Sequence, residues 1–316
     1  MPCRHQLFSL LVAGMVAFTL IFLLLVQSQH QRKPLLQPQQ PADFIPPTAG
    51  PVARIVHQSW RNADQIPTRF TAWRASWLSC FPAWNHWLWS DEDNLLLVRD
   101  KAPDFLDHYL RYTQSIQRAD SVRYLYLYHY GGLYTDLDNE CLQPFEHVLF
   151  SQAASQINKS IADYQSLSNC SVLLSSMRRS GRPGRRPYVE NSLMFARRRG
   201  HPFWLTVLEA MAERARLVGV TVQETVDLTT GPQLLMYALE RYGKARDMDA
   251  EHGQVCLFPA DQFNPFSWDA GLGGEAGPCR DLNRMTDSEL LACRARHRSA
   301  AFVLQFHAQS WGAGKI

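Results

Sequence analysis

A long uncharged segment near the start of the chain sets the first limit on how it can fold. Leu7 to Val26 contains twenty residues without a charged side chain. At about 1.5 Å per residue, a helix of this length crosses a hydrocarbon core of roughly 30 Å. A cleaved signal peptide has a shorter apolar region of roughly 7 to 15 residues and a small-x-small cleavage site, which is missing here. The sequence therefore predicts an uncleaved membrane anchor over residues 7–26, behind a cytosolic tail over residues 1–6.

The segment after this anchor has a different composition. Residues 27–52 are rich in Gln and Pro, and such a segment does not bury enough apolar surface to order itself. We therefore expect a stem there, followed by one globular domain over residues 53–316. In the whole chain 32 basic residues are nearly matched by 29 acidic ones, so the charge balance argues against a nucleic-acid-binding protein.

Several features indicate that this domain lies in the lumen of the secretory pathway. Asn158-Lys159-Ser160 and Asn169-Cys170-Ser171 are glycosylation sequons in a polar stretch. Six cysteines follow the stem without a CxxC pair, a pattern compatible with disulfides and unfavourable for zinc. The basic residues on the two sides of the anchor barely decide its orientation. On the lumenal features, we predict a single-pass type II protein of the Golgi membrane or of another secretory-pathway membrane.

Apolar runs with two different periods alternate along the predicted domain. Arg54–Trp60 and Leu88-Trp89 indicate buried strands, and Ser90 to Asp93 indicates the start of a helix. Helical spacing is also seen after Pro202 and after Gly231-Pro232. This alternation favours an α/β sheet sandwich over an all-α or all-β fold. The residues that we expect on buried helix faces are Phe70, Trp73, Trp77, Phe203, Trp204, Val207, Leu208 and Met211.

The most informative stretch lies near the middle of the chain. Tyr124 to Tyr130 is compatible with either a helix or a strand on periodicity alone. Gly131-Gly132 predicts a helix end, and Leu133 to Asp138 is then expected to be a strand with Asp136 and Asp138 on the same side. Two carboxylates at a strand end suit a hard divalent cation, whose oxygen ligands can include the phosphates of a substrate. This chemistry indicates a nucleoside diphosphate.

A charged pair precedes this stretch. If the region is helical, Asp120 and Arg123 share a face, where a carboxylate can accept hydrogen bonds from sugar hydroxyls and a guanidinium can contact phosphate. The alternative is an ion pair within the helix that has no further role. Together, the charged pair, the glycine stop and the two aspartates form a pattern that is far more specific than any one of them.

This pattern resembles glycosyltransferase family 32, the glycosyltransferases with a DxD sugar-binding region. The resemblance rests on Arg118–Tyr124, Tyr130–Tyr134 and Asp136–Asp138, and its central block looks most similar to the inositol phosphoceramide mannosyltransferases. It implies a single GT-A catalytic domain, a Rossmann-like α/β/α sandwich, and retaining transfer from a nucleotide sugar with Mn²⁺ or Mg²⁺. Further landmarks of the family occur in the expected order at His57–Trp60, Leu88–Asp91, Gly200–Trp204 and Thr230–Pro232.

The resemblance also implies roles for individual residues. Asp138 would bind the metal directly, and Asp136 would contact the ribose, or the metal through water. His307, after a predicted strand over Phe302–Phe306, would be a further metal ligand. Trp60 would stack on the nucleotide base, although a core position is an equal alternative. The other residues that would contact the donor or, for Asn191, the acceptor are Asp120, Arg123, Asn191, Ser310 and Trp311.

These expectations define a transferase of the secretory pathway. We expect it to move a hexose, mannose from GDP-mannose in the first instance, to a glycolipid or glycan acceptor such as inositol phosphoceramide. A UDP-sugar-dependent galactosyl-type transferase, a non-catalytic carbohydrate-binding protein and a metal-dependent phosphohydrolase are the alternatives. The landmark motifs contain no extra carboxylate that must act as a nucleophile, and a front-face route is therefore favoured.

Two regions depart from the family pattern. The five arginines between Met177 and Pro187 predict either a solvated basic insertion or a loop that holds an anionic acceptor. Residues 268–300 form a second insertion, in which Thr286 to Glu289 predicts a capping box and Cys279 with Cys293 is a candidate disulfide. The five arginines are Arg178, Arg179, Arg182, Arg185 and Arg186.

Overall fold

The strands of the computed structural model lie in one large sheet and one small one. The structure describes residues 52–150, 170–177, 188–245, 254–265, 286–306 and 308. In chain order, strands β1 to β8 are Ile55–Ser59, Asn85–Trp89, Gly132–Thr135, Asn139–Cys141, Cys170–Met177, Tyr188–Ala196, Gln254–Leu257 and Val303–Gln305. The large sheet has the order β2-β1-β3-β6-β5-β7, and β4 pairs with β8. In the large sheet, β6 runs antiparallel to β3 and β5, while β1 is parallel to β2 and β3.

Ten α-helices fall within the described ranges. Helices α1 to α10 are Thr68–Cys80, Asp91–Lys101, Leu106–Arg111, Ser115–His129, Glu146–Phe150, Pro202–Arg214, Val222–Thr229, Pro232–Ala245, Ala260–Phe263 and Asp287–His297. Local sequence explains where several of them begin. The Ser90 side chain accepts a hydrogen bond from the Asp93 backbone at the start of α2, and Thr286 forms the predicted capping box with Glu289 at the start of α10. Pro202 occupies the first position of α6.

The large sheet is covered by helices on both faces. Alternate side chains of β5 point in opposite directions, so Val172 and Leu174 join one apolar cluster and Leu173 joins another. Helices α4, α6 and α8 contribute to the first cluster, and α1, α5 and α9 contribute to the second. The predicted α/β sandwich is thus confirmed as a mixed α/β fold with a central sheet. The predicted core aromatics Trp73, Trp77 and Trp204 are fully buried.

The Tyr- and Leu-rich stretch is helical, and its end is set by glycine. It forms most of α4, after which Gly131 and Gly132 have φ angles of 67° and 91°. A Cβ atom at Gly132 would lie 2.5 Å from the Ile55 carbonyl oxygen, because β1 passes directly against β3 here. The backbone therefore needs glycine both for its conformation and for this close approach.

The expected strand over Leu133–Asp138 is wrong in its second half. β3 ends at Thr135, and the two aspartates lie in a turn that is closed by a hydrogen bond from the Asn139 N–H to the Asp136 carbonyl, 3.1 Å. The Asp136 N–H still donates to the Ser192 carbonyl on β6, 2.8 Å. Beyond that bond the chain leaves the large sheet, because β4 pairs with β8 instead.

Two disulfides have both cysteines among the described residues. Cys80 bonds Cys141, and Cys170 bonds Cys256. Cys293 is also disulfide-bonded, while its predicted partner Cys279 lies outside the described residues. In the part of the chain that the structure describes, no helix has the length and apolar character of a membrane span. The predicted tail, anchor, stem, sequon asparagines and arginine-rich loop also lie outside that part, and they stay predictions.

Candidate active site

The candidate site is built around Arg123, which lies on α4 and is 4% exposed. Its Nη2 lies 2.8 Å from Asp120 Oδ1, and its Nη1 lies 3.3 Å from Asp136 Oδ1. Nη1 also donates to the Asn191 carbonyl at 2.8 Å. The ion pair within the helix therefore forms, and the same guanidinium also contacts the DxD turn. One guanidinium joins α4, the DxD turn and β6 into a single buried network.

The two aspartates of the DxD turn have different partners. Asp136 Oδ1 accepts a hydrogen bond from the Tyr134 hydroxyl at 2.6 Å, in addition to its contact with Arg123. Asp138 Oδ2 accepts from the Ala308 N–H at 2.7 Å, and among the described residues it forms no ion pair. Leu137, between them, is buried and anchors the turn in a third apolar cluster. The turn thus directs one carboxylate to Arg123 and leaves the other without a cationic partner in the described chain.

Burial raises the pKa values of all three carboxylates. For Asp138, burial and then the neighbouring Asp136 raise the pKa to about 7. For Asp120, burial raises the pKa to about 7, although Arg123 acts in the opposite direction. Burial also raises the pKa of Asp136, against the lowering effects of Arg123 and Tyr134. Two of these carboxylates share one guanidinium and Asp138 lies beside them without one, so a bound cation would relieve the repulsion among the three.

Polar groups from β6 and from the end of α7 complete this part of the site. The Asn191 side chain donates to the Tyr124 hydroxyl at 3.2 Å, and the Thr230 hydroxyl donates to Asp120 Oδ2 at 3.3 Å. Asn191 is 7% exposed. The predicted residues Asp120, Arg123, Asp136 and Asn191 are therefore brought together, and the landmark Thr230-Gly231-Pro232 supplies the hydroxyl that orients Asp120.

Sequence reasoning missed a second buried polar cluster beside the DxD turn. Asn264 Nδ2 donates to Glu190 Oε2 and to Gln305 Oε1, both at 3.1 Å. The Ser192 hydroxyl donates to Gln305 Oε1 at 3.0 Å, and the Ser192 carbonyl is the partner of the Asp136 N–H. The available signal was the polar run Glu190-Asn191-Ser192 inside the strand Tyr188–Ala196.

The remaining predicted residues are less closely tied to this network. Trp60 is half-buried, donates from its indole N–H to the Gln65 carbonyl at 3.0 Å, and packs on Phe70 at 5.0 Å between ring centroids. It packs against the apolar cluster that contains Leu137 but stays partly exposed. Its position is therefore compatible both with stacking on a base and with a place in the core. His307, Ser310 and Trp311 lie outside the described residues, and their roles stay predictions.

A separate buried histidine lies at the other end of β3. His57 is fully buried, its Nε2 lies 2.8 Å from the Gly131 carbonyl, and its Nδ1 accepts a hydrogen bond from the Trp89 indole at 3.2 Å. The ring also stacks on Tyr126 at 5.5 Å. Burial lowers the pKa of His57 to about 4. This imidazole is neutral, and both of its nitrogens have protein partners.

The oxygen atoms of the DxD turn fit a hard divalent cation. Carboxylates are preferred ligands of Mg²⁺ and Mn²⁺, and Asp138 lacks a cationic partner in the described chain. Among the described residues, no group of three or more His, Cys, Asp or Glu side chains is positioned to hold a metal ion together. Two carboxylates alone form an incomplete cage, which is the usual state of a site that completes its coordination with substrate phosphates and water.

Comparison with known proteins agrees with this geometry. Residues 67–164 match the family described as "Glycosyltransferase sugar-binding region containing DXD motif", and they include both the α4 pair and the DxD turn. Solved structures resemble the chain only distantly. PaToxG Glycosyltransferase, for example, has a TM-score of 0.41 and 15% identity over 65% of this chain and 74% of that chain.

Relatives of similar sequence act in mannosyl transfer by name. Mannosyl phosphorylinositol ceramide synthase CSH1 of Saccharomyces cerevisiae is 29% identical over 77% of this chain and 57% of that protein. Inositol phosphoceramide mannosyltransferase 3 of Schizosaccharomyces pombe is 30% identical over 66% of this chain and 50% of that protein. The chain spans about half the length of the curated relatives it matches. The resemblance to the DXD-motif glycosyltransferases of family 32 is thus confirmed over residues 67–164, which contain the DxD turn.

Proposed function

We propose that this protein is a metal-dependent retaining glycosyltransferase of the GT-A type. It transfers mannose from GDP-mannose to a glycolipid acceptor of the inositol phosphoceramide class. The observation that carries the proposal is the buried network in which Arg123 bridges Asp120 on α4 and Asp136 in the DxD turn. A binding scaffold has no need to place the buried Asp120–Arg123 pair beside two further carboxylates, because a buried charge is costly to desolvate.

The residues of this network have separable tasks. Asp138 and Asp136 would hold Mn²⁺ or Mg²⁺, with the predicted ligand His307, and the ion would neutralise charge on the departing nucleoside diphosphate. Asp120 accepts hydrogen bonds and is held by Thr230 and Arg123, so it suits a sugar hydroxyl. Arg123 is buried behind the carboxylates. We therefore assign it the task of positioning Asp120 and Asp136, rather than a contact with phosphate alone.

The retaining route is proposed to occur on one face of the sugar. The bond from the anomeric carbon to the diphosphate breaks, the acceptor oxygen bonds to the same face, and the acceptor proton passes to the leaving phosphate oxygen. The alternative double displacement needs a carboxylate nucleophile. Apart from Asp120, Glu190 is a buried carboxylate linked to the DxD turn, through Asn264, Gln305 and Ser192, and its substitution tests the choice.

The acceptor and the compartment are parts of the same proposal. The mannosyl donor and the inositol phosphoceramide acceptor are supported by the names of the relatives. The disulfides Cys80–Cys141 and Cys170–Cys256 support an oxidising compartment. With the predicted anchor over residues 7–26, this favours a lumenal catalytic domain on the Golgi membrane. The arginines of residues 178–186 are proposed to hold the anionic acceptor headgroup.

The proposal is tested with the full chain in detergent, Mn²⁺, an inositol phosphoceramide acceptor, and either GDP-mannose or UDP-galactose. We expect acceptor-dependent release of GDP, with retained anomeric configuration in the product. Asp138→Asn should lower this rate by about 10³-fold, because it removes a charge on which the cation depends. Asp107→Asn, an exposed aspartate paired with Arg111, is the control and should leave the rate unchanged.

Each alternative predicts a different product. Preference for UDP-galactose would show that the donor is a UDP-sugar, and the assignment as a transferase would stand. Release of inorganic phosphate in place of GDP would indicate a phosphohydrolase. Sugar binding without turnover by the wild-type chain would indicate a carbohydrate-binding protein, and it would contradict the proposal.

A further inference from the structure

The connection between α6 and α7 exposes apolar side chains to solvent. Leu217, Val218, Val220 and Val222 are 42%, 83%, 95% and 52% exposed. A single exposed apolar residue is ordinary on a protein surface. Four within six residues form a patch of the kind that marks contact with a membrane or with another protein. We call residues 217–222 the apolar loop.

Three backbone N–H groups of the apolar loop are hydrogen-bonded to the protein itself. The Leu217 N–H donates to the Arg214 carbonyl at 2.9 Å, and the Gly219 N–H donates to the Thr225 hydroxyl at 3.0 Å. The Val220 N–H donates to Glu224 Oε2 at 2.7 Å. An unpaired N–H is costly in hydrocarbon. These three donors keep their partners if the tip leaves water, so the loop is suited to entering an apolar layer.

The surroundings of the loop suit the headgroup region of a lipid layer. No charged residue occurs from Leu217 to Gln223, and the exposed Arg216 comes directly before them. The acidic Glu224 comes directly after them, and its carboxylate is held by the Val220 N–H. Next to the loop, the Arg214 guanidinium lies 4.6 Å from the centre of the Tyr237 ring. Basic side chains and a tyrosine at the edge of an apolar patch are typical of proteins that rest on phospholipid headgroups. This combination favours a lipid surface over a second protein.

Helix α7 connects the apolar loop to the candidate active site. The loop ends at the first residue of α7, and Thr230 directly after α7 donates to Asp120. Eight helical residues span about 12 Å. The headgroup layer on each side of a bilayer is roughly 5 to 8 Å thick. A helix of this length can therefore have its first turn at the lipid surface and its last turn near a headgroup sugar.

We propose that the apolar loop inserts shallowly into the lipid surface that carries the acceptor, and that α7 thereby holds Asp120 at the level of the headgroups. The identity of the acceptor rests on the proposed function. The insertion itself does not, because it follows from the exposed side chains, the paired backbone and the neighbouring charges.

The insertion is tested by site-specific fluorescence on the full chain, in a Cys3→Ser background. Val220→Cys carries an environment-sensitive label, and Leu291→Cys, at a 61% exposed position on α10, is the matched control. Each protein is reconstituted into phosphatidylcholine vesicles with and without phosphatidylserine. At position 220 we expect blue-shifted emission and quenching by brominated phosphatidylcholine, with neither effect at position 291.

Two results would overturn the insertion. The first is identical, unquenched emission at position 220 in vesicles and in detergent. The second is a shift that depends on protein concentration in detergent alone, which would identify a second copy of the chain as the occupant. Both results are independent of catalysis, and a failure of the proposed function would leave a positive result standing.

A kinetic experiment then connects insertion to the reaction. Val218→Ser with Val220→Ser should raise KM for an acceptor embedded in vesicles by roughly tenfold. The same pair of changes should leave kcat/KM for a short-chain, water-soluble acceptor unchanged, which also shows that the variant is folded. Equal losses with both acceptors would contradict the link between the loop and the lipid surface.

Discussion

The two ends of β3 both bury polar side chains, but only one end satisfies them with the protein alone. At the start of the strand, His57 is neutral, and each ring nitrogen has a partner within the protein. At the end of the strand, Asp120 and Asp136 share the guanidinium of Arg123, and Asp138 forms no ion pair among the described residues. The first end is complete without a ligand, and the second carries excess negative charge. A buried polar cluster is therefore a candidate site when its charges exceed what its own partners neutralise.

The comparison is tested most strongly at Arg123. Arg123→Met should lower the free energy of unfolding by about 3–5 kcal/mol, because it leaves the buried Asp120 and the partly exposed Asp136 without their cation. Urea denaturation of the full chain in detergent measures the change. Arg241→Met is the control, since this exposed arginine also pairs with two carboxylates, Glu209 and Glu213, and a far smaller change is expected. Equal effects would show that the excess charge at the end of β3 is not buried in solution.

The next largest effect is expected at the start of β3. Gly132→Ala places a Cβ atom 2.5 Å from the Ile55 carbonyl oxygen at a φ of 91°, and should cost about 2–3 kcal/mol of unfolding free energy. Gly243→Ala is the control, because nothing lies within 4 Å of its added Cβ atom in α8. That change should stabilise the helix by up to about 1 kcal/mol. A tolerated Gly132→Ala would mean that β1 and β3 separate easily.

The neutral histidine makes a prediction about pH. The pKa of His57 falls from 6.5 to about 4 on folding, so below pH 6.5 the unfolded chain binds more protons and the folded state loses stability. This contribution is present above pH 6.5 and disappears as the pH falls towards 4. Between about pH 7.5 and about pH 5 the expected loss is roughly 2 kcal/mol.

The histidine prediction is read from denaturant midpoints at several pH values. His57→Gln should remove this part of the pH dependence. His147→Gln should keep it, because His147 is exposed in the folded protein. If the His57→Gln variant shows the same dependence of unfolding free energy on pH as the wild type, the assignment of a neutral, fully paired imidazole is contradicted.

The smallest effect is expected at Glu190. On the front-face route no carboxylate attacks the sugar, and glutamine can still accept the hydrogen bond from Asn264. Glu190→Gln should therefore retain kcat within about tenfold, a change of less than about 1.4 kcal/mol in the barrier. Radiometric transfer assays measure this rate. Trapping of a covalent glycosyl-enzyme on Glu190 would overturn the front-face route.

Local signals in the sequence predicted the helix and the strand that carry the site. The parts of the site that depend on pairing between distant segments could not be predicted. The Gly131-Gly132 stop correctly separated α4 from β3, and the spacing of Asp120 and Arg123 correctly placed them on one helix face. The turn at Asp136–Asp138 was missed because it depends on β4 pairing with β8, more than 160 residues later. The Glu190 cluster was missed for the same reason, since its members come from β6, from Asn264 and from β8.

The disulfide between Cys80 and Cys141 affects when the candidate active site is fully formed. Cys141 lies three residues after Asp138 and ties the chain beyond the DxD turn to the end of α1, across a separation of 61 residues. Closing a loop of that length restricts the unfolded chain by about 4 kcal/mol in the chain-entropy model. A newly made chain in a reducing environment lacks this restraint next to the carboxylates that are proposed to bind the cation. In the proposed lumenal location, formation of this disulfide would therefore be a maturation step for the site.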